Sequence, residues 1–308
     1  SAIKGRGAAS RIAHRFERDA RDPFDDGWET VAQNLADGAS PPATQVTFED
    51  ARSIITGNDS PDIYFEHSIN PYRGCEHGCV YCYARPTHSY LGLSPGLDFE
   101  ARLVAKRNIA TVLRAELSRP AYRPTGIAIG TVTDCYQPLE ASLRLTRRCL
   151  EVCAEYRNPV AIITKAPLIE RDLDVLCELQ RVAQLSVTVS VPIWDSERAR
   201  AIEPYVATPQ RRLRTVERLA GAGLDVGVSV APLIPGLGDE DIARILEAAA
   251  AAGARYAATT FLRLPGSVRQ VFEERLRQNL PLRAERILSR VREARGGKLN
   301  NAEFGKRH

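Results

Sequence analysis

Three cysteines crowd into one short stretch of this sequence. Cys75, Cys79 and Cys82 lie within Asn70-Pro71-Tyr72-Arg73-Gly74-Cys75-Glu76-His77-Gly78-Cys79-Val80-Tyr81-Cys82-Tyr83. Thiolates spaced Cys-x3-Cys-x2-Cys on one tight loop can hold three irons of a [4Fe–4S] cubane and leave the fourth iron without a protein ligand. An iron left open can chelate the amino and carboxylate groups of S-adenosyl-L-methionine. An electron passed into the sulfonium then breaks a carbon–sulfur bond and gives a 5′-deoxyadenosyl radical. The competing reading is a Cys3His zinc site with His77 or His88 as the fourth ligand. Zinc sites usually pair two short-spaced ligand duos, and this sequence has no second duo, so the spacing favours the cluster.

The other cysteines, Cys135, Cys149, Cys153 and Cys177, are scattered through apolar segments and read as small core residues. Seven cysteines so unevenly placed do not form a secreted disulfide framework. With 44 % hydrophobic and 26 % charged residues, the composition is that of a globular protein. No apolar run approaches the ~18–20 residues of a membrane span. The stretch Ser1 to Arg21 is polar and lacks the apolar core of a signal peptide. A cytoplasmic location without membrane attachment is therefore expected. The net charge of +4 is too small to argue by itself for a nucleic-acid partner. Lys4, Arg6, Arg11, His14 and Arg15 near the start, and Lys298, Lys306, Arg307 and His308 near the end, read as solvated ends, with phosphate binding as the alternative.

Positioning the cysteine loop falls to an alternating pattern that begins near residue 66. Strand candidates are Ser68–Tyr72, Gly126–Thr131, Val160–Thr164, Leu185–Val191, Asp225–Ala231 and Tyr256–Leu262, each short, apolar and often β-branched. Between and after them lie amphipathic stretches, Ile109–Ser118, Leu139–Tyr156, Ile169–Ala183, Gln210–Ala222, Asp239–Ala252 and Ser267–Asn279, with glycines closing several. Six strand–helix units in series imply a parallel sheet with right-handed crossovers. The fold class is α/β. Six units are too few for a closed barrel, so a partial (β/α)6 TIM-like barrel is expected, its site at the strand C-terminal ends. A doubly wound open sheet is the runner-up, disfavoured because no Gly-x-Gly-x-x-Gly follows the first strand. Residues 1–60 read as an irregular N-terminal extension with one helical candidate at Phe48–Ile55. Residues 61–280 read as the barrel, and 281–308 as a C-terminal helix and basic tail.

With its cysteine loop in that setting, the sequence resembles the radical S-adenosylmethionine (radical SAM) superfamily. Within it, the chain is similar to the spore photoproduct lyase-like branch, and more closely to a bacterial subgroup of unsettled function. The resemblance runs from about residue 45 to the end, with a weaker echo in Gly5-Arg6-Gly7-Ala8. Its most specific stretches are Ala51–Asp62 with Ser68–Phe99, and Gly130–Glu140. It implies that Cys75, Cys79 and Cys82 are the cluster ligands and that Tyr81 lies near the adenine of S-adenosylmethionine. Thr133 and Asp134 then meet the methionyl part, Lys165 and Ser190 are polar cofactor contacts, and the main chain at Ala231 meets the adenine. An electron donor such as flavodoxin or ferredoxin is the partner the resemblance implies. All these positions fall at strand C-terminal ends. Asp134 can accept from an ammonium group, Ser190 can bond a ribose hydroxyl, and Lys165 can offset a carboxylate. Strand-end capping is the plainer reading of the polar residues, and packing that of Ala231.

The lyase uses a cysteine at the end of the second strand as hydrogen donor, and the resemblance aligns Thr131 there, whose hydroxyl is a poor hydrogen-atom donor. Strand alternation would put residues 131, 133 and 135 on one face, so Cys135 is a candidate donor, with a buried structural cysteine as the alternative. Tyr81 and Tyr83 resemble a tyrosine pair that relays the radical in the lyase; packing accounts for them equally well. Arg211, Arg212 and Arg214, after Glu203–Pro209, read as the solvated face of a helix, with phosphate contact as the alternative, and Arg263 is a pocket candidate. The function expected is a radical SAM enzyme that abstracts hydrogen from a nucleic-acid lesion or base. One alternative is a radical SAM enzyme acting on a protein or small metabolite; another is a non-catalytic zinc- or cluster-binding module.

Overall fold

The computed structural model describes residues 44–59 and 65–300. The Lys4–Arg15 basic stretch, the Gly5–Ala8 motif and the Lys306–His308 tail lie outside the described residues. Ten strands occur in chain order: β1 (Gln45–Glu49), β2 (Thr56–Gly57), β3 (His67–Ile69), β4 (Tyr72–Arg73), β5 (Arg102–Lys106), β6 (Ile127–Ile129), β7 (Val160–Thr164), β8 (Leu185–Ser190), β9 (Val226–Leu233) and β10 (Tyr256–Phe261).

Six of them, β3, β6, β7, β8, β9 and β10, lie side by side in that order and all run parallel, with β2 antiparallel on the outer edge of β3. A doubly wound sheet reverses its strand order at a switch point. This order never reverses, so the sheet is singly wound, as the partial barrel requires. Right-handed crossovers then carry every connecting helix to one face. Ile162, Val187 and Val228 on that face are buried against Cys149, Leu176, Leu179, Val216 and Leu219. Each such aliphatic side chain withdrawn from water contributes about 1.5–3 kcal/mol. The opposite face alternates to small or polar residues, among them Ala161, Ser186, Thr188 and Ser229, all half-buried.

A second sheet, ordered β1-β5-β4, stands beside the first. The helix expected at Phe48–Ile55 is not formed. Residues 45–49 instead pair in parallel with Arg102–Lys106. The amides that a helix would have used internally go to distant side chains. Asn108 takes both the N–H and the C=O of Ala51, at 2.9 Å each, and the Glu116 carboxylate accepts from Ile54 and Ile55. The stretch Leu139–Tyr156 breaks into Glu140–Leu143 and Leu145–Glu155 at Arg144, whose φ is +53°. The cause is Glu140: its buried carboxylate accepts the Thr146 and Arg147 N–H groups, capping the second helix where its first amides lack partners. The helix Ile169–Ala183 likewise opens as a 3-10 turn, Pro167–Asp172, before Leu173–Val182. At the far end of the chain, Ala284–Glu293 packs its Ile287, Leu288 and Val291 into a second core. That core also takes Phe272, Leu276, Leu264, Val80 and Tyr81.

Candidate metal centre

The cysteine loop leaves the short strand β4 and is bent by two glycines. Gly74 has φ +80°, and a side chain there would meet Leu103, the Phe99 carbonyl and His88 at 2.6–2.8 Å. Only glycine combines that backbone with that close approach. From Gly74 the chain turns inward: the Cys75 N–H donates to the Phe99 carbonyl at 2.9 Å, and the Val80 N–H donates to Ile202 at 3.0 Å. Gln137 brackets the loop by accepting from the Glu76 N–H and donating to the Gly74 carbonyl. Arg85, wholly buried, does most to hold it. Its guanidinium donates to the carbonyls of Gly78, Cys79 and Gly96 at 2.9–3.1 Å and pairs with Glu100 at 2.5 Å.

Cys75 and Cys79 are buried and Cys82 is half-buried. Burial pushes all three thiols up; Asp134 and the neighbouring thiols add to this at Cys75, and Cys79 reaches about 12. Each ionised thiol would raise its neighbours, so three sulfurs so placed become thiolates together only when a cation offsets them. Among the described residues, no three His, Cys, Asp or Glu side chains converge closely enough to hold a single metal ion. A cubane puts each thiolate on its own iron and accepts a wider spread than one ion's tetrahedral shell. Each histidine weighed for zinc has one ring nitrogen engaged elsewhere, and the His88 Nδ1 is buried without a partner among the described residues. The His77 Nδ1 lies 3.4 Å from Asp134, and the His88 Nε2 lies 2.9 Å from the Arg102 carbonyl, its ring edge-on to Phe99. The donor set on the loop fits a three-thiolate cluster.

Around the loop the expected cofactor residues fall into two groups. Tyr81, Asp134 and Lys165 gather on it. The Tyr81 hydroxyl donates to the buried Glu203, which pairs with Arg212 at 2.6 Å, and Arg212 donates on to the Ser190 carbonyl at 2.8 Å. The Lys165 ammonium stands 5.9 Å from the centre of the Tyr81 ring. Asp134 is already fully used: it accepts from the Tyr136 N–H, the Thr164 hydroxyl and the Lys165 N–H, and faces His77. Burial alone would raise its carboxyl; His77 and these donors outweigh that and hold it well below the usual range. Thr133 is buried, 3.4 Å from the Tyr72 carbonyl. Ser190 ends β8 opposite Ser229, and Ala231 follows two residues later on β9, at the same end of the sheet.

Tyr83 is 56 % exposed, yet its hydroxyl donates to the Thr131 carbonyl, so an exposed ring is held at a fixed edge. Cys135 does not share a strand face with Thr131 and Thr133, because β6 ends at Ile129 and the residues after it run as bends. Cys135 is wholly buried in the main core with its sulfur 3.9 Å from the Ile163 carbonyl. Of the arginine row, Arg214 is exposed as expected for a solvated face. Arg211 and Arg212 instead are buried, Arg211 on Glu170 and Arg212 on Glu203, so neither is a solvated face nor open to a phosphate. Arg85, Gln137, Glu203 and Arg212 are the supporting residues that sequence reading missed. Their partners lie up to 122 residues away, and no local spacing marks such a bond.

A family model described as the radical SAM superfamily matches residues 69–249. The chain belongs to that superfamily. The matched stretch begins on β3 and takes in the cysteine loop. An uncharacterized protein of Mycobacterium tuberculosis is 39 % identical over 258 residues, covering 81 % of this chain and 76 % of that protein. An uncharacterized protein of Methanocaldococcus jannaschii is 26 % identical over 174 residues, covering 56 % of this chain and 62 % of that one. Among solved structures, a mutant of spore photoproduct lyase superposes with a TM-score of 0.57 at 17 % identity, over 75 % of this chain and 66 % of that chain. A double mutant of the same enzyme, with bound AdoMet and dinucleoside spore photoproduct, gives 0.53 at 18 % identity over 83 % and 80 %. At such identities the likeness establishes a common radical SAM fold. Among the described residues, no helix is long and apolar enough to cross a membrane.

Proposed function

We propose that this chain is an enzyme that reductively cleaves S-adenosylmethionine at a [4Fe–4S] cluster on Cys75, Cys79 and Cys82 and abstracts hydrogen from a nucleic-acid lesion or base. The observation that carries the cofactor chemistry is the loop of three thiols, two buried and one half-buried, held in place by Arg85 and Gln137. When bound, the cluster supplies the electron that splits the sulfonium into methionine and a 5′-deoxyadenosyl radical. The chain's own residues bind and orient. Arg85 and Gln137 fix the loop, Lys165 offers a cation beside it for a carboxylate, and Tyr81 presents a ring fixed at its hydroxyl. Tyr83, exposed and held on the Thr131 carbonyl after β6, is the side chain offered toward the substrate.

The nucleic-acid substrate is supported by the shared fold with a lyase solved with a dinucleoside photoproduct, and the buried Arg211 and Arg212 lend it nothing. Its test is turnover: reconstituted, reduced protein is incubated with UV-irradiated DNA, with unirradiated DNA, and with no DNA. Release of 5′-deoxyadenosine or repair of thymine lesions that depends on irradiated DNA is expected. Equal release in all three arms, with no change in the DNA, would move the substrate to a protein or metabolite. Electron delivery by flavodoxin or ferredoxin belongs to the same proposal, and either protein should replace dithionite in that assay.

A further inference from the structure

Two opposite charges flank the Tyr81 ring on the cysteine loop, Glu203 buried and Lys165 half-buried, and holding the loop does not explain them. Lys165 ends on its ammonium near the Tyr81 ring, and among the described residues that ammonium has no hydrogen-bond acceptor. Glu203, 1 % exposed, accepts the Tyr81 hydroxyl and is anchored by Arg212, also 1 % exposed. The two charges thus stand at opposite parts of one residue, Lys165 at the Tyr81 ring and Glu203 at its hydroxyl. Tyr81 lies two residues from Cys79 and next to Cys82, so its ring ties both charges to the cluster loop.

A [4Fe–4S] cluster gains one negative charge on reduction. A cation held near a ligating thiolate stabilises the reduced form and raises the reduction potential; an anion lowers it. In a water-poor site neither effect is screened as it is at the surface. We propose that Lys165 and Glu203 are an opposed pair of positioning residues that set the reduction potential of the cluster, Lys165 upward and Glu203 downward. The inference rests on the cluster reading above. It gives the buried Glu203–Arg212 pair a role beyond stability, since ion pairs so buried often contribute little net stability over apolar packing.

The test is a potentiometric titration of the anaerobically reconstituted full chain, without S-adenosylmethionine, following the electron paramagnetic resonance of the reduced cluster. Lys165→Gln is expected to shift the one-electron equilibrium about tenfold against reduction, a potential lower by about 59 mV. Lys165→Arg keeps the charge and should stay within about threefold of the wild-type equilibrium. Glu203→Gln should shift it about tenfold the other way. If Lys165→Gln loads poorly, Lys165→Met keeps the aliphatic stem and gives the same readout. Unchanged potentials at matched iron content, or Lys165→Gln and Glu203→Gln moving in the same direction, would overturn the inference while leaving the cluster reading intact. A wild-type protein that loads no iron–sulfur cluster sinks both.

Discussion

At the scale of single residues, the site is built by side chains that satisfy main-chain groups rather than by side chains aimed at a ligand. Arg85 spends its guanidinium on carbonyls of the cysteine loop and on Glu100. Removing it strands buried acceptors and an acid, each of which costs free energy. Arg85→Met is therefore expected to lower stability by about 3 kcal/mol, read from urea unfolding, and to abolish cluster loading; wild-type iron content in that variant would refute the assignment. Asp134 makes a second, pH-dependent case. Its carboxyl is held below its ordinary value near 3.8 in the folded chain. The folded state thus binds fewer protons than the unfolded state as the pH falls through that range. The stability contributed by Asp134 is present above about pH 4 and is lost as acidity increases toward its folded value. Asp134→Asn should cost about 2 kcal/mol at pH 6, and the gap to wild type, followed by urea midpoints of the cluster-free protein, should narrow below about pH 4. A gap that widens on acidification would contradict it.

At the scale of elements, backbone conformation decides where the chain can turn toward the site. Gly130 follows β6 with φ +91°, and a Cβ there would sit 2.1 Å from the Ile163 carbonyl on β7. Gly126, before the same strand, has open space at its Cβ position. Gly130→Ala should destabilise by about 3 kcal/mol or more, whereas Gly126→Ala should stay within about 1 kcal/mol of wild type. Similar unfolding midpoints for the two variants would contradict this. The six parallel strands were legible because each is a short apolar run between turn residues, and Val160–Thr164 occurs with the bounds read from the sequence. The loop of three thiols was legible because its ligands are close in sequence. Strand β1 was not: Val46 and Phe48 pair with residues 57 positions later, and the Asn108 and Glu116 bonds that exclude a helix come from the same distant region. Arg212 was missed because helix periodicity cannot tell a solvated arginine from one matched to a buried Glu203. Cys135 was placed by a strand alternation that stops six residues earlier, at Ile129.

At the scale of the whole molecule, a singly wound sheet of six parallel strands brings the loop after β3 to the same end as Lys165 after β7, Ser190 on β8 and Ala231 on β9. The C-terminal helix Ala284–Glu293 shares a core with Val80 and Tyr81, so the last helix supports the first loop. Truncation before Ala284 is expected to prevent cluster loading as well as to lower the unfolding midpoint; a truncated chain with full iron content would refute that coupling. The most direct measurement is reductive cleavage of S-adenosylmethionine by the anaerobically reconstituted chain under dithionite, with 5′-deoxyadenosine quantified beside a Cys82→Ala control. The account predicts a brown protein with about four irons per chain that releases 5′-deoxyadenosine, and a control that releases none above background. A colourless protein holding one zinc, or an iron-loaded wild type no more active than the control, would contradict it.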